Sequence, residues 1–358
     1  MRKLIRFELR KIFSKTLTQI ALIAVLLLSV LLGFSTYQNK YAFDENSDEG
    51  TGKVAVEIDK EIAAKYEGIL TDEKVQQMMN DFAPKYDLHG MNAAYLYQNA
   101  MQSAAFARFS DMNGNWNGLS VSDVFGDEEI KIGYTDGWLS TSQNMVKIFI
   151  VLSLVIVIMI APVFSGEYEG VDNIILTSKY GKTKCTTAKV VASIFATIFS
   201  TALIAALNLI PAYVFYGKSG LDCSILFAPK AYVEGFIPFN ISCGTLLTYQ
   251  ILLAFTGTIS VMGITLLISA ISKKQIVALV ASAAFYLFPI LLPVSEANPL
   301  FRYIGLLPLH HARAISLMSV EQMNNGMLYA VWAIPTAAIF LGIGIFVSRK
   351  VFAKHQVS

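Results

Sequence analysis

Charge is scarce in this chain. Asp, Glu, Lys and Arg make up 15% of its 358 residues, where a soluble protein carries about a quarter. So little charge excludes an ordinary fully hydrated surface. Cysteine is scarce as well. Three residues, Cys185, Cys223 and Cys243, are too few for a disulfide framework. A bridge between Cys223 and Cys243 is open in principle, and free buried thiols are the commoner state. His310 and His311 are adjacent, with no Cys, Asp or third His nearby to complete a metal site. The chain lacks G-x-S-x-G and H-E-x-x-H motifs, so no catalytic constellation is visible. Gly181-Lys182-Thr183 imitates the end of a phosphate-binding loop, but the required earlier glycine is replaced by Leu176. The long apolar runs hold almost no ionisable residue, which argues against a proton- or sodium-coupled carrier.

What the chain does have is apolar length. Hydrophobic residues make up 54% of it, and the mean hydropathy is +0.53. Six runs stand out, at 17–36, 147–164, 188–216, 246–271, 275–293 and 328–347. Each approaches or exceeds the ~20 residues a helix needs to cross a ~30 Å hydrocarbon core. Runs of this length read as helices, because only helices or closed barrels satisfy their backbone groups in lipid. The basic start, "MRKLIRFELRKIFSK", is followed by a run too long for a signal peptide and without a small-residue cleavage pattern. It reads as a retained first span.

Lysine and arginine set the orientation. Arg2, Lys3, Arg6, Arg10, Lys11 and Lys15 precede the first run. Lys179, Lys182, Lys184 and Lys189 lie between the second and third, and Lys273 and Lys274 between the fourth and fifth. Arg349, Lys350 and Lys354 follow the sixth. With six spans all these flanks share one side, the cytoplasmic one, and both termini lie there. The expected fold is an all-α integral membrane protein with six transmembrane helices and a mostly helical extracytoplasmic domain between the first two.

Residues 37–146 form that acidic domain. Within 40–136 there are 18 Asp and Glu against 8 Lys and Arg. "VEIDKEIAAKYEGIL", "TDEKVQQMMNDF" and "MNAAYLYQNAMQSAAFARF" read as helices, with Thr71 capping the second. The stretch 110–140 is richer in glycine and more irregular. "DMNGNWNGLSVS" spaces Asp111, Asn113 and Asn115 like calcium ligands. Trp116 and Ser122 replace the glycine and the glutamate such a loop needs, so it reads as an Asn/Gly turn. Between the fifth and sixth runs, 294–327 is too apolar for a solvated loop yet broken by Pro299 and Pro308. Re-entrant or interfacial helices are expected there.

The connection "FSGEYEGVDNIILTSKYGKTK", residues 164–184, carries acids first and lysines last. That order matches a helix dipole. Tyr168, Val171, Ile174 and Ile175 recur at helical spacing as one apolar stripe, with Glu169, Asp172 and Asn173 facing elsewhere. The N-terminal stretch has the same character, since Leu4, Ile5, Leu9 and Ile12 give it an apolar face among basic residues.

Phe164, Ser165, Glu167, Gly170, Leu176, Thr177 and Lys189 together resemble the cytoplasmic motif of ABC-2 type exporter permeases. Asp172 and Asn173 depart from that pattern, and the proline common after the Leu-Thr pair is absent. The resemblance extends over the membrane part and not over 37–146. It implies the membrane-spanning subunit of an ATP-driven exporter in a bacterial cytoplasmic membrane, not itself an enzyme. No cofactor is then expected in this chain. ATP and Mg belong to a separate ATP-binding subunit, present in two copies beside a second permease half. The chain's other partner is the lipid bilayer, and nucleic acid is not among its partners.

On the same resemblance, 165–187 is a coupling loop whose contacts with the ATPase fall to Glu167, Tyr168, Glu169, Gly170, Val171, Asp172, Ile174, Ile175 and Leu176. Residues 1–16 are a cytoplasmic connector helix, with Arg6, Glu8 and Arg10 as its site residues. Glu167 is expected to bond backbone donors at the start of the loop helix, or a cation on the partner. The remaining segments are an outer loop at 217–245 and a cytoplasmic tail at 348–358. A membrane-anchored receptor or immunity protein, binding a ligand with its outer domain and transporting nothing, is the alternative. It has no need of a coupling loop. The substrate is not legible: peptides, lipid-linked precursors, drugs and ions are all compatible.

Overall fold

Long apolar stretches with few breakers leave the backbone little choice but to bond to itself, and this chain is mostly helix with almost no sheet. The computed structural model describes residues 1–44, 49–84, 89–93, 98–168, 181–229, 239–292, 300–313 and 329–354. In chain order the helices are α1 (Arg2–Phe13), α2 (Thr16–Gln38), α3 (Lys53–Tyr66), α4 (Asp72–Asp81), α5 (Ala100–Phe109) and α6 (Val121–Phe125). They continue with α7 (Asp136–Ile160), α8 (Pro162–Ser165), α9 (Thr186–Tyr216), α10 (Cys243–Ile271), α11 (Gln275–Leu287), α12 (Phe301–Ile304) and α13 (Tyr329–Lys354). Four short strands among the described residues are β1 (Tyr41–Phe43), β2 (Glu49–Thr51), β3 (Gly68–Ile69) and β4 (Lys131–Ile132).

Among the described residues, five helical stretches are long and apolar enough to cross a membrane: Thr16–Gln38, Asp136–Ser165, Gly181–Tyr216, Cys243–Ile271 and Val331–Lys354. They make this a multi-pass membrane protein by length and composition. The run expected as a span over 275–293 is shorter. It comprises the 17 residues Gln275–Leu291, of which Phe288–Leu291 is 3-10 helix containing Pro289. Its length of about 25 Å falls short of a ~30 Å core. The second run begins earlier than its expected start at 147, because the polar turn 136–146 is already helical in α7.

The chain forms two units. The first comprises Met1–Ser29, Met145–Leu207 and Gln250–Ser358. Its helices meet through small residues and hydroxyls. At the crossing of α10 and α13, a Cβ on Gly344 would lie 2.1 Å from the Gly263 carbonyl oxygen, so only glycine allows the backbones to touch there. Thr201 of α9 donates to Thr258 of α10 at 3.0 Å. The Tyr286 hydroxyl of α11 reaches the Ile150 carbonyl of α7 at 3.2 Å. Between α7 and α8, Pro162 cannot donate and interrupts the helical ladder. Ser269 of α10 repairs the break. Its hydroxyl accepts from the Phe164 and Ser165 amides at 3.0 and 3.1 Å and donates to the Ala161 carbonyl at 2.5 Å.

The second unit, Val30–Asn144 with Asn208–Tyr249, joins the acidic region to the chain between the third and fourth spans, a union the sequence does not announce. Its core holds Ile58, Ile62, Tyr66, Val75, Met78, Phe106 and Phe109. β1 and β2 pair antiparallel, as do β3 and β4. Thr71 caps α4 as expected, accepting from the Lys74 amide at 3.3 Å. Two expected helices are cut short. α3 ends at Tyr66, and Gly68, at φ 112°, turns the chain into β3. Of the helix expected from 91, residues 94–97 lie outside the described residues, and the helix α5 starts at Ala100, where extended Asn99 caps it by accepting from the Gln102 amide at 2.8 Å. In the calcium-like stretch, the Asp111 carboxylate accepts from the Asn113 and Asn115 amides at 2.8 and 2.9 Å. That closes an Asx-type turn.

Candidate functional site

One lysine stands at the centre of a group of four charged residues in the first unit. Lys189, in the first turn of α9, is fully buried. Its ammonium donates to both carboxylate oxygens of Glu8, at 3.2 and 3.1 Å, and to the Val163 carbonyl at 3.2 Å. It also pairs with the Glu167 carboxylate. Lys11, one turn beyond Glu8 on α1, donates to the same Glu167 oxygen at 2.7 Å. Glu8 and Glu167 are 5% and 1% exposed, so this is an ionic core and not a surface salt bridge. Two acids and two bases balance. The arrangement meets the condition for burying charge: paired groups with further hydrogen bonds.

Three sequence-distant pieces are tied by these bonds: the N-terminal helix, the turn after α8, and the start of α9. The two ends of the 165–187 connection are therefore fixed to α1 and to each other. Gly181–Cys185 forms a single π-helical turn that leads into α9, with Lys182 and Lys184 exposed. Tyr168 anchors the other end. Its hydroxyl donates to the Ala270 carbonyl at 2.8 Å and its ring lies 6.0 Å from that of Phe352.

Of the residues singled out in the sequence, the structure brings Glu8 and Glu167 together. Arg6 and Arg10 stay exposed on another side of α1. The cations that meet Glu167 are the chain's own, Lys189 and Lys11. Its second oxygen has no hydrogen-bond partner among the described residues. Glu169, Gly170, Val171, Asp172, Ile174, Ile175 and Leu176 lie outside the described residues. Lys11 was missed as a site residue. So was the role of Glu8, although a signal existed. Glu8 lies on the helical arc between Leu4 and Ile12, a lone acid in the apolar face of a basic helix.

Two further groups of buried polar residues need placing. His311 contacts the Thr256 hydroxyl of α10 through Nδ1 at 3.2 Å, and Gln250 of α10 donates to the Ala312 carbonyl at 2.5 Å. Residues 300–313 thus lie along α10, as a short helix and turns. Burial pushes both imidazoles down to about 4. They are a neutral, packed pair at ordinary pH. In the second unit, buried Lys40 pairs with Asp136, and buried Asp59 accepts from the Ala100 amide at 2.7 Å. Burial lowers Lys40 to about 8, against the pull of Asp59. Burial likewise raises Asp59 to about 6, against Lys40 and the Ala100 amide.

Among the described residues no group of three His, Cys, Asp or Glu could hold a metal ion. The three cysteines are free, with Cys223 and Cys243 buried. Comparison with protein families, with curated proteins and with solved structures finds no match to this chain.

Proposed function

We propose that this chain is the membrane-spanning permease subunit of an ATP-driven exporter of the ABC-2 type. On this reading it has six spans, with both termini and the 165–187 loop in the cytoplasm and the acidic region outside. The observation that carries the reading is the buried Glu8–Lys189–Glu167 core. A connection that merely joins two spans has no need of charged residues sunk at both its ends and locked to the N-terminal helix. A loop that must transmit a push does need rigid ends. Force applied to residues 169–180 would reach α8, α9 and α1 together, since the Lys189 ammonium of α9 bonds both the others. The ATP-binding subunit would dock on the apolar stripe of Val171, Ile174 and Ile175, and ATP-driven closure would move the spans. The 17-residue apolar helix Gln275–Leu291 would be the fifth span, with 294–327 dipping back toward the bilayer.

Purification of the tagged chain from its native membrane in mild detergent tests this. An ATP-binding subunit should co-purify in stoichiometric amount, with ATPase activity that a transported substrate stimulates. A chain that purifies alone, with no ATPase activity recoverable, would favour the receptor reading.

A further inference from the structure

The N-terminal helix has a second face that the ionic core does not use. While Glu8 and Ile12 are buried against the first unit, Lys3, Arg6, Phe7 and Arg10 recur at i, i+3, i+4 and i+7 on an exposed arc. That arc faces α9 across an open cleft of about 880 Å³. Phe195 and Phe199, one helical turn apart, form the opposite wall, and they are 56% and 59% exposed. Phe13 closes the cleft's corner by an edge-to-face contact with Phe199, ring centroids 6.1 Å apart. The contacts Glu8–Lys189 and Phe13–Phe199 run in the same direction along both helices, so α1 lies alongside the start of α9.

The lining is divided by chemistry. Three cations stand on α1, and among the described residues no acid lines the cleft; the one acid of α1, Glu8, is turned inward and already paired. Aromatic rings and Leu9 fill the remainder. An aqueous anion would satisfy the cations but leave the rings wet. An acyl chain alone would cover the rings but leave the cations unanswered. Only a molecule carrying an anionic group on an apolar body complements both. The chain's long apolar helices place such molecules around it in bulk.

We infer that the cleft between α1 and α9 is a binding site for an anionic phospholipid, its phosphate held by Lys3, Arg6 and Arg10 and its acyl chains laid on Phe7, Phe195 and Phe199. The inference needs the membrane character of the chain and not the transport reading. The occupied site would wedge lipid against the helix that holds Glu8 on Lys189, so the lipid would stabilise the ionic core.

Full-length protein in dodecyl maltoside micelles, supplied with dioleoyl phosphatidylglycerol or dioleoyl phosphatidylcholine, provides the test. Native mass spectrometry should show phosphatidylglycerol retained and phosphatidylcholine lost, with a higher melting temperature in phosphatidylglycerol alone. K3Q/R6Q/R10Q should weaken retention at least about tenfold, whereas K273Q/K274Q, which removes two cations elsewhere, should not. In the wild type, salt at about 1 M should abolish the preference, since it shrinks the Debye length to about 3 Å. Glycerol phosphate should neither bind nor stabilise. Equal retention of the two lipids, or a salt-insensitive preference, would overturn the site. Stabilisation by glycerol phosphate as strong as by the lipid would reassign it to a soluble phosphate.

Discussion

Lys189 holds two carboxylates from two other segments with one ammonium group. Removing one partner of such a buried set leaves uncompensated charge, which costs about 3–5 kcal/mol. Lys189→Met should therefore lower the melting temperature sharply in detergent, and more than Lys11→Met, because the Lys11 side chain is 33% exposed. If the two variants melt alike, the ionic core is not the anchor described. Asp59 offers a second test at this scale. Its folded pKa, about 6, lies above its ordinary value of 3.8, so between those pH values the folded state binds more protons than the unfolded. Stability then falls as pH rises from about 4 to about 6, by a few kcal/mol. Lys40, lowered to about 8, works in the opposite direction. Its burial weakens the fold below pH 8, and stability recovers as pH rises from about 8 toward 10.5. Asp59→Asn should flatten the acid limb in thermal unfolding at pH 4, 5 and 6. An unchanged slope would show that another group sets it.

At the scale of elements, helices and caps were readable and breaks were not. The apolar runs mark four of the five long helices to within a few residues at most ends, since length and composition alone decide them. Thr71 announces α4 because capping is local chemistry. Ala100 as a helix start was hidden: Asn99 competes with an apparently continuous helical pattern, and its side chain wins by capping. The role of Ser269 in mending the Pro162 break could not be seen, because the two lie more than a hundred residues apart. For the same reason, Glu8 and Lys189 gave no sign of pairing. The Gly263–Gly344 crossing is likewise a tertiary fact. Gly344→Val should force α10 and α13 apart and destabilise the first unit, whereas Gly342→Val, where a Cβ meets nothing within 4 Å, should be mild. Thermal unfolding of both variants checks this, and equal stability of the two would contradict the packing described.

For the whole molecule, the proposed orientation places Ser47 outside and Ser178 inside. Single cysteines introduced at each position, in a chain lacking Cys185, Cys223 and Cys243, should report it through an impermeant thiol reagent. Label should reach position 47 in intact cells, and position 178 only after permeabilisation. The reverse pattern would invert the orientation and take the loop away from any cytoplasmic ATPase. The central claim, that 165–187 couples this chain to such a subunit, is tested most directly by Val171→Asp combined with Ile174→Asp. Charges in the apolar stripe would destroy a docking face yet leave the buried Glu8–Lys189–Glu167 core untouched. Co-purification of the ATP-binding subunit, read beside membrane insertion of the chain, decides the matter. The expected result is a normally inserted chain that has lost its ATPase partner; a variant that keeps the partner and its substrate-stimulated hydrolysis at wild-type levels would rule the coupling role out.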